Sequence, residues 1–313
     1  MSPPSVAIVD IGSNSIKLLV AERQADLPVR ALLSKTIDAR IGTGISQQAP
    51  RLTEESMARG LDAIQQLLAA AAPFGPARTV LVATSAVRDA QNGQEFRERV
   101  YGSTGHTVRI LTGREEANLV GRGLMCDPAL AGLSDFYVFD LGGGSLECLA
   151  FRNRRIDQAI SLQLGCVRLT ELFVPDPSQP IPADVILTIQ LHTRMQLAQA
   201  AFAFELPVPV VAVGTGGTIT TTRAMLAARA GRELEQTASR VELERFQMIL
   251  AELSALPLAG RRAIRGLPPA RADVFPTALA TLIAIAEAGH FDAYRHSFYN
   301  LRYGLAAEAL EAI

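Results

Sequence analysis

Two segments of the chain repeat one arrangement, and no other feature narrows its fold so far. Residues 6–20 (VAIVDIGSNSIKLLV) and 136–151 (FYVFDLGGGSLECLAF) each run from an apolar strand into an Asp, an apolar residue and a Gly. A turn of small residues and a second apolar strand follow, which is a hairpin pattern. Asp10 and Asp140 stand in equivalent places, so the spacing predicts one domain design used twice. At 313 residues the chain exceeds the usual reach of one core. We therefore expect two domains, 1–120 and 121–313, with the boundary near a helix at 113–126, a cleft between them, and a C-terminal helix at 300–313 packing back on the first.

The stretches between the repeats alternate strand and helix, the pattern of an α/β fold. Thr53 is placed to cap a helix that carries Glu54 and Glu55 in its first turn and stops at Pro73. Short buried strands are expected at 79–84 and 107–111. Thr112-Gly113-Arg114-Glu115 reads as a capping box, with Glu115 reaching back to the Thr112 amide, which leaves its neighbour Glu116 uncommitted. In the second half we expect a helix from Pro182 to about Phe204, a strand at 208–213 and a glycine turn at 214–218 that opens another helix. Further helices follow at 241–256 and 272–288, the latter buried, and after Arg302.

The charge balance, 30 Lys+Arg against 31 Asp+Glu, lacks the basic excess of a general nucleic-acid binder, so an anionic ligand has to be held by local groups. Cys126, Cys148 and Cys166 are too few and too scattered for a disulfide framework, and the four histidines lack metal-ligand spacing. The start of the chain has no signal-peptide pattern, and no apolar run reaches the ~20 residues of a membrane span. A cytoplasmic protein without membrane or nucleic-acid partners is the expectation. Its apolar C-terminal half offers a surface for a homodimer.

Three strand-end loops bring together the groups that bind phosphate: freed amides, hydroxyls and close backbone approach. They are Gly12-Ser13-Asn14-Ser15, Gly142-Gly143-Gly144-Ser145 and Gly214-Thr215-Gly216-Gly217. Each alone reads equally as a turn; three together argue for a clamp on several phosphates. Asp140 and Glu147 flank the second loop, so a hairpin brings both carboxylates to one end of the sheet as hard ligands for Mg²⁺, with Mn²⁺ the alternative, and Asp10 is a third candidate. Glu116 is placed to act as base or water-positioning group, although a first-turn acid also serves the helix dipole. Arg88 suits either a phosphate grip or a salt bridge. Arg168, Arg271 and Arg302 are weaker candidates of the same type.

With these loops in hand, the chain resembles the exopolyphosphatase/guanosine pentaphosphate phosphohydrolase family of the actin-like ATPase and sugar kinase superfamily. The likeness is carried by DIGSNSIKLLV, ATSAVRDAQN, TGREEANLVGRG, FDLGGGSLE, SLQLGCVRLTE, VGTGGTITTT and ARADVFPTAL, in that order. It implies two ribonuclease H-like α/β domains, Glu116 as catalytic glutamate, Arg88 as phosphate-contacting arginine, and Asp140 and Glu147 as acidic residues of the metal centre. It also implies hydrolytic release of terminal orthophosphate from inorganic polyphosphate. Longer relatives continue into a helical domain, so a short form favouring short chains is expected. Guanosine pentaphosphate is the alternative substrate, a sugar or acetate kinase is a rival enzyme, and a phosphate- or nucleotide-sensing module is the non-enzymatic reading.

Overall fold

Seven consecutive buried residues, Ser5–Ile11, form the central strand β1 of the first sheet. A strand covered on both faces carries a continuous apolar run of this kind. β2 (Ile16–Gln24) folds back antiparallel on β1, and β3 (Leu27–Ile37) on β2. β4 (Arg78–Ala83) and β5 (Val108–Ile110) extend the other side in parallel, giving the order β3-β2-β1-β4-β5. In the computed structural model, which describes residues 3–24 and 27–313, the same order recurs in a second sheet.

There β6 (Phe136–Leu141), β7 (Leu146–Arg152) and β8 (Arg155–Leu162) make the antiparallel meander. β9 (Val211–Thr215) and β11 (Ala293–His296) add in parallel, and β10 (Arg240–Glu242) closes the edge, in the order β10-β11-β9-β6-β7-β8. The echoed segments thus open two sheets of one design, each the mixed, ribonuclease H-like arrangement that the family resemblance implies. The echo extends to atomic detail, because the Gly12 amide donates to the Ser15 carbonyl and the Gly142 amide to the Ser145 carbonyl, at 3.2 and 3.0 Å.

Helices cover the sheets. The first group is α1 (Glu54–Ala71), α2 (Ser85–Asp89), α3 (Gly93–Thr104) and α4 (Gly113–Leu124). Then come α5 (Cys166–Phe173), α6 (Ala183–Gln199), α7 (Gly216–Arg229), α8 (Leu243–Ala255), α9 (Leu258–Arg262), α10 (Phe275–Ala288) and α11 (Leu301–Glu311). Thr53 accepts from the Ser56 amide and caps α1. α10 is buried from Phe275 to Ala286, as its all-round apolar pattern requires. α6 ends at Gln199 rather than near Phe204, because Ala201 takes a left-handed backbone. No helix among the described residues is long and apolar enough to cross a membrane.

The chain divides into two compact units, Met1–Gly132 with Tyr299–Ile313, and Leu133–Phe298. The change of unit falls after α4, not at 120, since a helix with one continuous buried stripe belongs to one core. α11 lies in the first unit, on α4 and β1. Its contact with α4 is backbone to backbone: a Cβ on Gly304 would collide with the Leu119 carbonyl, and one on Gly123 with the Asn300 carbonyl. The three cysteines are buried, and burial pushes the thiols of Cys126 and Cys148 up, which leaves those two inert packing groups.

Candidate functional site

In the first unit the capping box forms as read: Thr112 accepts from the Glu115 amide, and Glu115 accepts from the Thr112 amide at 2.8 Å. Hydrogen bonds from Arg109 and Thr112 hold the Glu115 carboxyl down at about 2. The next residue, Glu116, is buried and points elsewhere. Its Oε2 accepts from Arg88 Nη1 at 2.8 Å, and the same Nη1 reaches the Leu111 carbonyl at 3.1 Å. Arg88 sits on α2, immediately after β4, and its Nε lies 3.4 Å from Asp89. The salt bridge open to Arg88 in the sequence therefore exists, and its partner is the candidate base itself.

The Gly12–Ser15 turn is held by a strap that local sequence patterns do not reveal. Gly42 donates to the Ser13 carbonyl at 2.8 Å and Arg40 to the Asn14 carbonyl at 2.9 Å. A Cβ on Gly42 would meet the Ser13 Cβ at 2.6 Å, so glycine is required for that approach. Ser13 Oγ also bonds Ser85 Oγ at 2.9 Å, tying the turn to α2. The carbonyls of Ser13, Asn14 and Ser15 are thus engaged, while the amides of Ser13 and Asn14 have no acceptor among the described residues. An array of this kind suits an anion.

Asp10, at the end of β1, is opposite Lys17 in the β1–β2 register. Burial pushes its carboxyl up, opposed by the charges of Lys17 and Arg302. In the second unit the equivalent pair is Asp140 opposite Glu147. Directly paired residues project to one face, so where the first unit has a carboxylate and a cation, the second has two carboxylates. Glu147 Oε1 accepts from Ser161 Oγ at 2.8 Å, which aims it. A Cβ on Gly216 would collide with Asp140 Oδ1, so only glycine lets this carboxylate lie against the start of α7. Two adjacent hard-oxygen donors are the kind of group a hydrated divalent cation takes. Within its own unit Asp10 meets cations instead, and no three acidic, His or Cys side chains of either unit's described residues converge.

The Gly142–Ser145 turn is backed by the start of α5. The amides of Cys166 and Val167 donate to the carbonyls of Gly142 and Gly143 at 3.0 and 2.8 Å, and Arg168 Nε to the Gly144 carbonyl at 3.1 Å. Gly165 lies against the backbone of Gly143 and Gly144 so closely that any Cβ would collide. The amides of Gly143 and Gly144 have no acceptor among the described residues.

The third glycine segment differs from expectation. Gly214 and Thr215 belong to β9 and Gly216 and Gly217 already to α7, so no separate turn exists. Gly216, at φ +81°, makes the switch in one residue. Arg271 packs its guanidinium on Gly217, with Nε buried and unpaired. Arg302, by contrast, is buried beneath the first unit's sheet, donating to the Leu18 carbonyl and Ser34 Oγ.

The histidines looked unremarkable in the sequence, yet His296 buttresses this segment. Thr220 Oγ1 donates to the Gly216 carbonyl at 2.8 Å, so it accepts from His296 Nε2 at 3.0 Å. Nδ1 is then the acceptor for Arg223 Nη1 at 2.7 Å. This bookkeeping of hydrogens demands a neutral ring, and burial, then Arg223, pushes the imidazole down to about 3. The unfolded chain takes up this proton near 6.5 and the folded chain only near 3, so stability contributed by His296 is lost as pH falls between those values. Thermal melts from pH 7 to 4 should show a steeper loss in the wild type than in His296→Gln. Equal slopes would mean that His296 carries no such linkage.

Exopolyphosphatase 2 of Mycobacterium tuberculosis is 31% identical over 283 residues, covering 88% of this chain and 87% of that protein. Guanosine-5'-triphosphate,3'-diphosphate pyrophosphatase of Vibrio cholerae is 28% identical over 312 residues. That alignment covers 99% of this chain but 60% of the relative, so the chain spans about 60% of the length of such proteins. Among solved structures, an exopolyphosphatase from Cytophaga hutchinsonii superposes with a TM-score of 0.88 at 24% identity, covering 99% of this chain and 98% of the other. A Ppx/GppA protein from Aquifex aeolicus gives 0.79 at 24%, with 99% of each covered. Both of these support the fold. The Ppx/GppA phosphatase description matches residues 19–312, nearly the whole sequence, and the chain therefore belongs to the Ppx/GppA phosphatase family.

Proposed function

We propose that the chain is a phosphoric anhydride hydrolase that releases terminal orthophosphate from inorganic polyphosphate. The observation that carries this reading is the pairing of buried Glu116 with half-buried Arg88 in a unit whose Gly12–Ser15 turn offers unengaged amides. In this reading the turns at 12–15 and 142–145, with Gly214–Gly217, bind phosphate oxygens. Glu116 orients water and takes its proton, and Arg88 holds Glu116 in place and meets the transferred phosphoryl group. Asp140 and Glu147 would hold the cation, Mg²⁺ ahead of Mn²⁺, and Asp10 is the remaining candidate ligand. Phosphatases of this family generally depend on a divalent metal. When bound, such an ion neutralises phosphate charge.

Polyphosphate is placed first because the exopolyphosphatase of Mycobacterium tuberculosis aligns over most of both chains. Guanosine pentaphosphate is the second reading, favoured by the alignment of nearly all of this chain with the Vibrio cholerae protein. The test is phosphate release from tripolyphosphate, long-chain polyphosphate and guanosine pentaphosphate, with Mg²⁺, with Mn²⁺ and with chelator. We expect polyphosphate turnover that chelator abolishes. Turnover of the nucleotide alone would transfer the assignment to the second reading, and no release from any of the three would overturn both.

A further inference from the structure

One charge in the second unit has no part in the chemistry above. Arg223, halfway along α7, is 5% exposed, and no described carboxylate lies within ion-pair distance of it; Glu235 acts only at longer range. Nη2 donates to the carbonyls of Leu234 and Thr237 and to Thr237 Oγ1, Nη1 donates to His296, and Nε has no acceptor. Burying a cation without a counter-charge is costly, and proteins ordinarily pair such groups.

Arg223 lines a cavity of about 470 Å³ between α7, β10 and α8. The same wall carries Arg229, Arg240 and Arg245 against a single carboxylate, Glu242. Arg229 is paired with Glu252, and Arg240 with Asp292 and Glu242. Among the described residues, the Arg245 guanidinium hydrogen-bonds only the Met248 sulfur, at 4.0 Å. In a chain whose net charge is -1, this concentration of guanidinium groups around a hollow is local and directional. Planar, multiply donating guanidinium groups match the oxygens of a phosphoryl group as they do those of a carboxylate, and a phosphorylated substrate supplies the former.

We propose that this cavity binds a phosphate group of the substrate remote from the one hydrolysed. The site itself stands on the arginines; naming its ligand as substrate rests on the hydrolase reading. The group is either a distal phosphate of a polyphosphate chain or the second phosphate arm of a guanosine nucleotide. Both present the same oxyanion. Gly216 and Arg223 are about 10 Å apart along α7 at 1.5 Å per residue. The Arg223–His296–Thr220 bonds connect the cavity to the helix's first turn, so one helix presents two anion positions.

The test is calorimetric titration without divalent cation, using orthophosphate, tripolyphosphate, long-chain polyphosphate and guanosine tetraphosphate as probes. Arg245→Glu and Arg229→Ala/Arg245→Ala alter exposed side chains and should leave the melting temperature unchanged. We expect at least tenfold weaker binding of the longer probes in both variants. The exposed control Arg155→Glu should change binding by less than twofold. Loss for polyphosphate alone identifies a chain, and loss for the nucleotide alone identifies its second arm. Unchanged affinity for every probe, or an equal loss in the control, overturns the site. Gly217→Ala separates the two readings: if it weakens orthophosphate binding while the Arg245 variants bind normally, the clamp stands and this cavity fails.

Discussion

Glu116→Gln should lower kcat on the preferred substrate by about 10²–10⁴-fold, the usual range for loss of a positioned acid–base group, with KM changed little. Glutamine keeps the size of the side chain and an oxygen that can still accept from Arg88 Nη1. What disappears is the negative charge and the capacity to take a proton from water. A fall in kcat and kcat/KM together is the signature of an interaction made only in the transition state. The rival role, an acid serving the α4 dipole, makes the opposite forecast: lower melting temperature and intact turnover. Glu115→Gln calibrates that role, because Glu115 closes the capping box and pairs with Arg109. Steady-state kinetics and melts on both variants separate them, and a kcat within threefold of wild type for Glu116→Gln would remove Glu116 from the mechanism.

Gly304→Ala should destabilise the protein by about 2 kcal/mol or more, against a propensity gain of about 1 kcal/mol for replacing glycine inside a helix. The clash wins because its partner is the Leu119 carbonyl, on the backbone of α4, with no rotamer through which to retreat. Overpacking of well-fitted sites costs about 1–3 kcal/mol even where side chains can yield. Gly102→Ala on α3 is the counterexample, since its Cβ would meet nothing within 4 Å. That variant should gain up to ~1 kcal/mol. Denaturant melts of the pair test the argument. A Gly304→Ala protein as stable as wild type would mean that α11 and α4 can separate without cost. Because α4 carries Glu116, we also expect reduced turnover in the Gly304 variant at temperatures where it remains folded.

The local chemistry of this site could be read from residues close together in the chain. The Asp–X–Gly turn between two apolar runs closes within a few residues, so both hairpins were legible, as was their equivalence. The Thr112–Glu115 capping box was legible for the same reason, and it freed Glu116 for another task. The one-residue join of β9 to α7 was missed because a glycine at positive φ looks the same in sequence as a glycine in a longer turn. His296 was missed because its partners, Thr220 and Arg223, are distant in sequence and its tautomer depends on both.

Hydrogen bonds and apolar periodicity over a few residues were enough, from the sequence alone, to determine two α/β sheets with an acidic, glycine-rich turn at the end of each first strand. Tertiary structure alone decided what stands beside those turns. Gly42 lies on Ser13, Gly165 on Gly143, Arg88 on Glu116, and α11 on α4 despite joining from the far end of the chain. Each of these contacts closes a long loop. Such closure is stabilised only when the two cores assemble and apolar burial outweighs the lost chain entropy, and no local pattern of residues records which distant backbone will arrive.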